Sequence, residues 1–293
     1  MAGQTLQYDV VDVFTERPFA GNPLAVVHGA QDLADEQLAA LAAEFNLSET
    51  TFPTAPSGRG DYAVRIFTPG GEIPFAGHPT LGTAWVLRHA GRLRSGDVTQ
   101  ECGVGLVDVH LPDGDGPVEL SANPRDLSGP VEGDRVAAAV GLSADDISGV
   151  TVVAGAGLSF VHLPVTGVAA LARAHPATGG LSDLGRHGIG TDPLGGVNVY
   201  TVTEGAADRL AVRSRVFCPD LSVPEDPATG SAAAGLGIAL VATGRLPQHG
   251  GRYQITQGVE MGRPSRLHGR VEADGGTVTR CHVAGGVVPV ASG

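Results

Sequence analysis

The sequence predicts an α/β (α+β) chain built from two pseudo-symmetric domains, and three observations carry that prediction. The first is an internal repeat. Gly77-His78-Pro79-Thr80-Leu81-Gly82 and the residues to Leu93 lie over Gly230-Ser231-Ala232-Ala233-Ala234-Gly235 and the residues to Leu246, with Gly77/Gly230, Gly82/Gly235, Leu87/Leu240, Gly91/Gly244, Arg92/Arg245 and Leu93/Leu246 coincident. The second is what precedes each copy: Arg65-Ile66-Phe67-Thr68-Pro69 and Pro74 match Arg215-Val216-Phe217-Cys218-Pro219 and Pro224 at a slightly shorter offset, so the second loop carries a small insertion. Each copy reads as a β-branched and aromatic strand, a Pro/Gly loop, then an apolar helix that stops at Gly and a basic residue. The third is length, because 293 residues suffice for two domains that each bury a core. Similar units far apart in sequence imply two like domains.

The elements follow in chain order. Tyr8 to Phe14 and Leu24 to Val27 read as strands around a turn at Gly21-Asn22-Pro23. Asp35 is a candidate cap for a helix whose apolar positions Leu38, Leu41, Ala42 and Phe45 keep helical spacing. Strands at Glu49 to Phe52 and Tyr62 to Phe67 lead into the first central helix. Asn123 to Pro130 is rich in turn formers and reads as a linker. Beyond it, helices are expected near Val131–Val140 and Val168–Ala174, and strands near Val150–Val153, Phe160–Leu163 and Val197–Val202. The Gly-rich stretch His175 to Gly196 reads as a surface excursion. The tail from Val283 to Val290 reads as a strand that crosses back to the first domain. The boundaries are therefore 1–122, joined by 283–293, and 123–282.

Composition narrows the function. A net charge of −12 argues against a general nucleic-acid or anionic-membrane surface. All 19 basic residues are Arg, so neither a Lys Schiff base nor a phosphate-loop Lys is available. Cys102, Cys218 and Cys281 lack CxxC spacing, which argues against a disulfide scaffold or zinc site and fits a reducing cytoplasm. The ten histidines show no close ligand pairing, so no metal is expected. The N-terminus has no signal-peptide pattern, and Gly155-Ala156-Gly157 lacks the rest of a dinucleotide fingerprint and reads as a turn. The uncharged run Pro227 to Gly244 raises a membrane question, but its Gly content and its charged counterpart favour a buried central helix.

Polar residues stand at the same point of both repeats, where the loop becomes a helix. A helix start offers unpaired N–H groups and partial positive charge, and Gly77 and Gly230 permit close approach to the backbone. If both helix starts face one interdomain cleft, that cleft suits a small carboxylate.

Gly21-Asn22-Pro23, Ser48-Glu49-Thr50-Thr51-Phe52, Glu72-Ile73-Pro74-Phe75-Ala76-Gly77-His78-Pro79-Thr80, Glu225-Asp226-Pro227-Ala228-Thr229-Gly230-Ser231-Ala232 and Gln257-Gly258-x-Glu260-x-Gly262-Arg263-Pro264-Ser265 resemble the phenazine-biosynthesis PhzF-like isomerases. The resemblance covers essentially the whole chain in the right order. It implies the diaminopimelate epimerase fold, in which each domain is a curled, mostly antiparallel sheet around a central helix. It also implies a homodimer, no cofactor, and isomerisation of a small carboxylate of the trans-2,3-dihydro-3-hydroxyanthranilate type. Carried over, Glu49 matches the acid/base, and His78, Asp226 and Ser231 match polar residues around the substrate.

A carboxyl can remove and return a proton if burial raises its pKa toward neutrality, and a neighbour such as Phe52 is compatible with that; the alternative is a strand-edge glutamate facing water. His78 would hydrogen-bond substrate, relay a proton or cap the helix, and Asp226 would cap a helix as well as serve the site. Ser231 lacks a nucleophile elbow and is expected to hydrogen-bond. Asn22 either reaches ligand or serves the turn. Cofactor-free racemases of this fold use two thiols just before the helix-start glycines; here those positions are Ala76 and Thr229, which excludes two-thiol chemistry and leaves Cys218 as a core residue. An amino-acid epimerase or tautomerase using the same base, and a non-catalytic small-molecule binding protein, are the alternatives.

Overall fold

The computed structural model describes residues 5–177, 179–186, 189, 194–218 and 223–293. The chain divides into two compact units, Met1–Ser121 with Ala284–Gly293, and Ala122–Val283. In chain order the first run of elements is β1 (Gln7–Val13), β2 (Asn22–His28), α1 (Asp35–Phe45), β3 (Glu49–Thr54), β4 (Tyr62–Thr68), β5 (Gly71–Ile73), α2 (Gly77–His89), β6 (Gly96–Cys102), β7 (Gly105–Leu111) and β8 (Val118–Ala122). The second run is β9 (Asp126–Pro130), α3 (Gly133–Ala139), β10 (Val152–Gly155), β11 (Ser159–Pro164), α4 (Val168–Arg173), α5 (Gly180–Arg186), β12 (Leu194–Ala206), β13 (Arg209–Cys218), β14 (Val223–Asp226), α6 (Gly230–Ala242), β15 (Gly250–Gln257), β16 (Ser265–Asp274), β17 (Thr277–Gly285) and β18 (Val287–Ser292).

Strand pairing repeats between the units. In the first, β18 and β2 flank β1 antiparallel, β2 runs parallel to β3, and β3 is antiparallel to β4. There β4 forms a hairpin with β5 and pairs in parallel with β6, which is antiparallel to β7. The second unit gives the same sequence of pairings with β9, β10, β11, β12, β13, β14, β15 and β16 in turn. The tail strand β18 therefore does for the first unit what β9 does for the second. Matching side chains clasp each hairpin: Arg65 forms a bidentate pair with Glu72 and lies over the Phe67 ring, and Arg215 does so with Glu225 and Phe217.

Several elements differ from the sequence expectation. Asn22 and Pro23 open β2 instead of completing the turn, because Asn22 pairs with Val13 in the β1–β2 ladder. Asp35 is the first helical residue of α1; Ala34 is the N-cap, and its N–H donates to the Gln37 side chain. The linker expected at Asn123–Pro130 contains β9, whose backbone pairs with β10 despite its turn-forming composition. The excursion expected at His175–Gly196 contains α5, whose Leu181 and Leu184 enter the unit's core; residues 178, 187, 188 and 190–193 of that stretch lie outside the described residues. The tail comprises the end of β17 and then β18.

The central helices explain the repeat. Both end in the same motif: Arg92 and Arg245 N–H groups donate back to Leu87 and Leu240, Gly91 and Gly244 N–H groups to Arg88 and Val241, and both glycines have φ near 70°. This is the Schellman closure, which requires a left-handed residue after the helix and so selects Gly. Gly82 and Gly235 mark where each helix presses on its sheet. A β-carbon on Gly82 would lie 2.5 Å from Leu24 Cδ2 and 2.9 Å from Val13 Cγ2, whereas one on Gly235 would lie 2.7 Å from the Ala154 carbonyl oxygen. The uncharged run contains α6, 13 residues long and buried along nearly its whole length. Among the described residues no helix is long and apolar enough to cross a membrane.

These contacts separate two substitutions. Gly82→Ala meets side-chain ends that can shift, and the gain of about 1 kcal/mol in helix propensity offsets the strain. Gly235→Ala meets fixed backbone and should lose about 1–3 kcal/mol to overpacking. Urea denaturation of both variants checks this, with equal losses contradicting the packing argument.

Candidate active site

Register in the first unit places a carboxylate beside an imidazole. Glu49 opens β3, where the parallel ladder sets it opposite Leu24 of β2, and His78 is the second residue of α2. His78 Nε2 lies 3.4 Å from Glu49 Oε2, and the two side chains are only 5% and 14% exposed. The ring donates a hydrogen bond to the Pro23 carbonyl, and Nε2 is buried without a hydrogen-bond partner among the described residues. The N–H is therefore at Nδ1, and Nε2, 3.4 Å from the carboxyl group, is left as an acceptor. Burial lowers the His78 pKa to about 3, only partly opposed by the bond to Pro23. The imidazole is neutral at physiological pH.

Buried hydroxyls and amides fix this arrangement from below. Asn22 is fully buried and accepts the Ser48 hydroxyl at 3.0 Å, tying the start of β2 to the residue before Glu49. Two residues along β3, Thr51 bonds Thr83 of α2 at 2.8 Å. Gln100 of β6 donates to Thr80, whose hydroxyl donates to the Ala76 carbonyl at the helix start. Ala76 is the N-cap of α2, so His78 is not the cap; no side chain caps this end, and no acidic residue occupies the first turn. The helix start and its first N–H groups keep their positive character.

In the second unit Thr229 is the N-cap of α6, again with no acidic residue in the first turn. Asp226 ends β14 and accepts the Thr229 hydroxyl at 2.6 Å, so the cap expected of Asp226 belongs to Thr229. Gln257 clamps this corner, donating to the Asp226 carbonyl and the Thr229 hydroxyl while accepting the Thr229 N–H. Gly230 is buried at the first position of α6, and Ser231 beside it is partly exposed. Asp226, Gly230 and Ser231 thus lie within one helix start, and Glu49, His78, Gly77 and Asn22 within another. Sequence reasoning assigned no role to Ser48 or Gln257, although both stand inside the quoted motifs; a polar side chain reaching backbone across two strands leaves no signal in spacing.

Thr50 pairs with Phe67 in the first unit, and Val197 pairs with Phe217 in the second. Since Phe67 and Phe217 match in the repeat, the counterpart of Glu49 is Gly196. Its φ is 149°, and a β-carbon there would lie 2.1 Å from the Phe217 carbonyl oxygen. The second unit therefore holds no side chain at the position of the carboxylate. Ala76 and Thr229 at the two N-caps, and Cys218 buried at the end of β13, provide no thiol at either helix start.

Architecture and comparison define the class: an isomerase with a diaminopimelate epimerase-like two-domain fold. A solved structure described as a probable proline racemase from Agrobacterium radiobacter shares the fold, with a TM-score of 0.63 at 14% identity over 99% of this chain and 92% of that one. A PhzF-family phenazine biosynthesis protein from Bacillus anthracis shares it more closely, with a TM-score of 0.87 at 23% identity over 99% of each chain. A trans-2,3-dihydro-3-hydroxyanthranilate isomerase of Pseudomonas aeruginosa is 37% identical over 98% of each chain. The phenazine biosynthesis-like protein family model matches residues 11–293, and this chain belongs to that family.

The buried histidine sets a stability signature. His78 takes up a proton near pH 6.5 when unfolded and only near 3 when folded, so its contribution is complete above about 6.5 and declines as pH falls. Between those values the decline is about 1.4 kcal/mol per pH unit. Urea denaturation at pH 6.0 and 4.5 should show a flatter dependence in His78→Gln than in the parent; an unchanged slope would mean that His78 titrates normally in the fold.

Proposed function

We propose that this isomerase moves a proton, and with it a double bond, on a small carboxylate-bearing metabolite, using Glu49 as its single acid/base and no cofactor. The observation that carries the reading is the Glu49 carboxyl 3.4 Å from a buried, neutral His78 whose Nε2 makes no hydrogen bond among the described residues. Gly196 in the equivalent place of the other unit, and the lack of thiols at both helix starts, favour one base over two. The trans-2,3-dihydro-3-hydroxyanthranilate isomerase named above makes an anthranilate-like acid the first substrate to try.

The chemistry follows from the groups in place. Carboxylate at Glu49 abstracts a proton from carbon, becomes the carboxylic acid, and delivers the proton to another carbon of the conjugated system. His78 Nε2 accepts a hydrogen bond from that acid or from the substrate, and the Pro23 carbonyl holds the ring in the required tautomer. Helix starts at Gly77 and Gly230, with no acidic residue in the first turn, suit the substrate carboxylate, with Asp226, Ser231 and Asn22 as further substrate-binding residues. The reading includes a cytoplasmic homodimer; the net charge of −12 supports the absence of a nucleic-acid partner.

Glu49→Gln keeps size and neutral hydrogen bonding, so folding and ligand affinity should persist while turnover falls about 10²- to 10⁴-fold, the usual loss on removing general acid–base help. His78→Ala should cost less. Steady-state assays on trans-2,3-dihydro-3-hydroxyanthranilate and related acids check this, and near-parental turnover in the glutamine variant would remove Glu49 from the mechanism.

A further inference from the structure

A recess of about 160 Å³ lies in the second unit, bordered by Ser148, Pro164, Val165, Thr166, Tyr200 and Arg245. None of these is a candidate active-site residue. Backbone bonds fix the rim: Ser148 N–H donates to Pro164, Val165 N–H to Tyr200, and Thr166 N–H to Asp146. Arg245 enters from the C-terminal end of α6, where its N–H closes the Schellman motif on Leu240, so the root of its side chain is held. Its guanidinium passes over Gly149, with Nη2 3.7 Å from where a β-carbon there would sit.

The charges around Arg245 leave it available. Asp146, the nearest acidic group by backbone connection, is engaged by Arg173 and by Ser143. Among the described residues Arg245 has no carboxylate partner, although the chain has 31 acidic residues for 19 Arg. Tyr200 is 3% exposed, yet its phenol has no hydrogen-bond partner among the described residues. Burial raises its pKa to about 12 against the opposing influence of Arg245, so at neutral pH it is a donor. The exposed Arg245, Ser148 and Thr166 thus border one small polar recess together with the Tyr200 residue, and a guanidinium beside hydroxyl donors is a fitting set for an oxyanion.

We propose that this recess is a second ligand site that binds a small oxyanion, carboxylate or phosphate in kind, through Arg245 and the Tyr200 phenol. The geometry suits a fork from the guanidinium to two oxygens of the anion, with the phenol and a threonine or serine hydroxyl donating to the remainder.

Amide NMR spectra of the full chain, titrated with inorganic phosphate and separately with acetate at fixed ionic strength, test the proposal. Saturable shifts are expected at Ser148, Thr166 and Arg245. Arg245→Gln should weaken binding at least about tenfold, the loss expected for a hydrogen bond to a charged group. Tyr200→Phe should weaken it less. Arg92→Gln, the same charge change at the repeat's other copy, and Glu49→Gln should leave it unchanged. A spectrum with saturable shifts for only one anion identifies which oxyanion the site takes. Absence of saturable shifts with both anions, shifts confined to other residues, or equal affinity in Arg245→Gln would overturn the proposal, whatever the fate of the Glu49 mechanism.

Discussion

Each unit depends on a helix buried along nearly its whole length inside a sheet that wraps it. Such a helix is made largely of small and apolar residues, its few buried polar side chains are paired, as Thr83 is with Thr51, and its glycines let the strands come close. Gly235 against the Ala154 carbonyl and Gly82 against Leu24 are matched points of close approach. This burial has a consequence at the helix ends. The C-terminal carbonyls are satisfied internally by the glycine closure at Gly91 and Gly244, while the helix starts at Gly77 and Gly230 have no side-chain cap bond from the N-cap residue and no acidic residue in the first turn. The same constraint that makes the core thus leaves positive, donor-rich helix starts for a ligand.

Chemistry enters by breaking the symmetry that packing imposes. Pairing order, hairpin clasp and helix closure are shared by both units, but the carboxylate is not: where the first has Glu49, the second has Gly196 in a backbone conformation that a side chain would not tolerate. His78 likewise has Ser231 as its counterpart. A duplicated scaffold with thiols at both helix starts would suit removal and return of a proton on opposite faces of a substrate. One with a single carboxyl group suits both operations on the same face. Burial works on the imidazole in this arrangement by keeping it neutral, so that it accepts a hydrogen bond instead of contributing positive charge.

Much of this was legible in the sequence because packing and closure leave local marks. Gly91-Arg92-Leu93 and Gly244-Arg245-Leu246 spell the helix ends, and Gly82 and Gly235 keep the same spacing from them. The motifs carrying Glu49 and His78 stand at a strand start and a helix start, as their composition indicates. The misjudged features are those decided by distant partners. Asp126–Pro130 has the composition of a turn and becomes a strand through pairing with β10. Asp226 has the look of a cap before proline, yet accepts the hydroxyl of Thr229, which holds the N-cap position without a side-chain cap bond. The anchoring of Asn22 to Ser48, and of Thr229 to Gln257, joins residues 26 and 28 positions apart, beyond any local pattern.

The central claim is that one carboxyl group removes a proton and returns the same proton to the same face. Substrate carrying deuterium at the migrating position, followed through a single turnover in ordinary water, tests it most directly. A single base shielded from solvent should deliver part of the label to the new carbon, on the face from which it was taken. Label on the opposite face, or complete washout at the earliest measurable conversion, would contradict the account and point to a second base or free exchange with water.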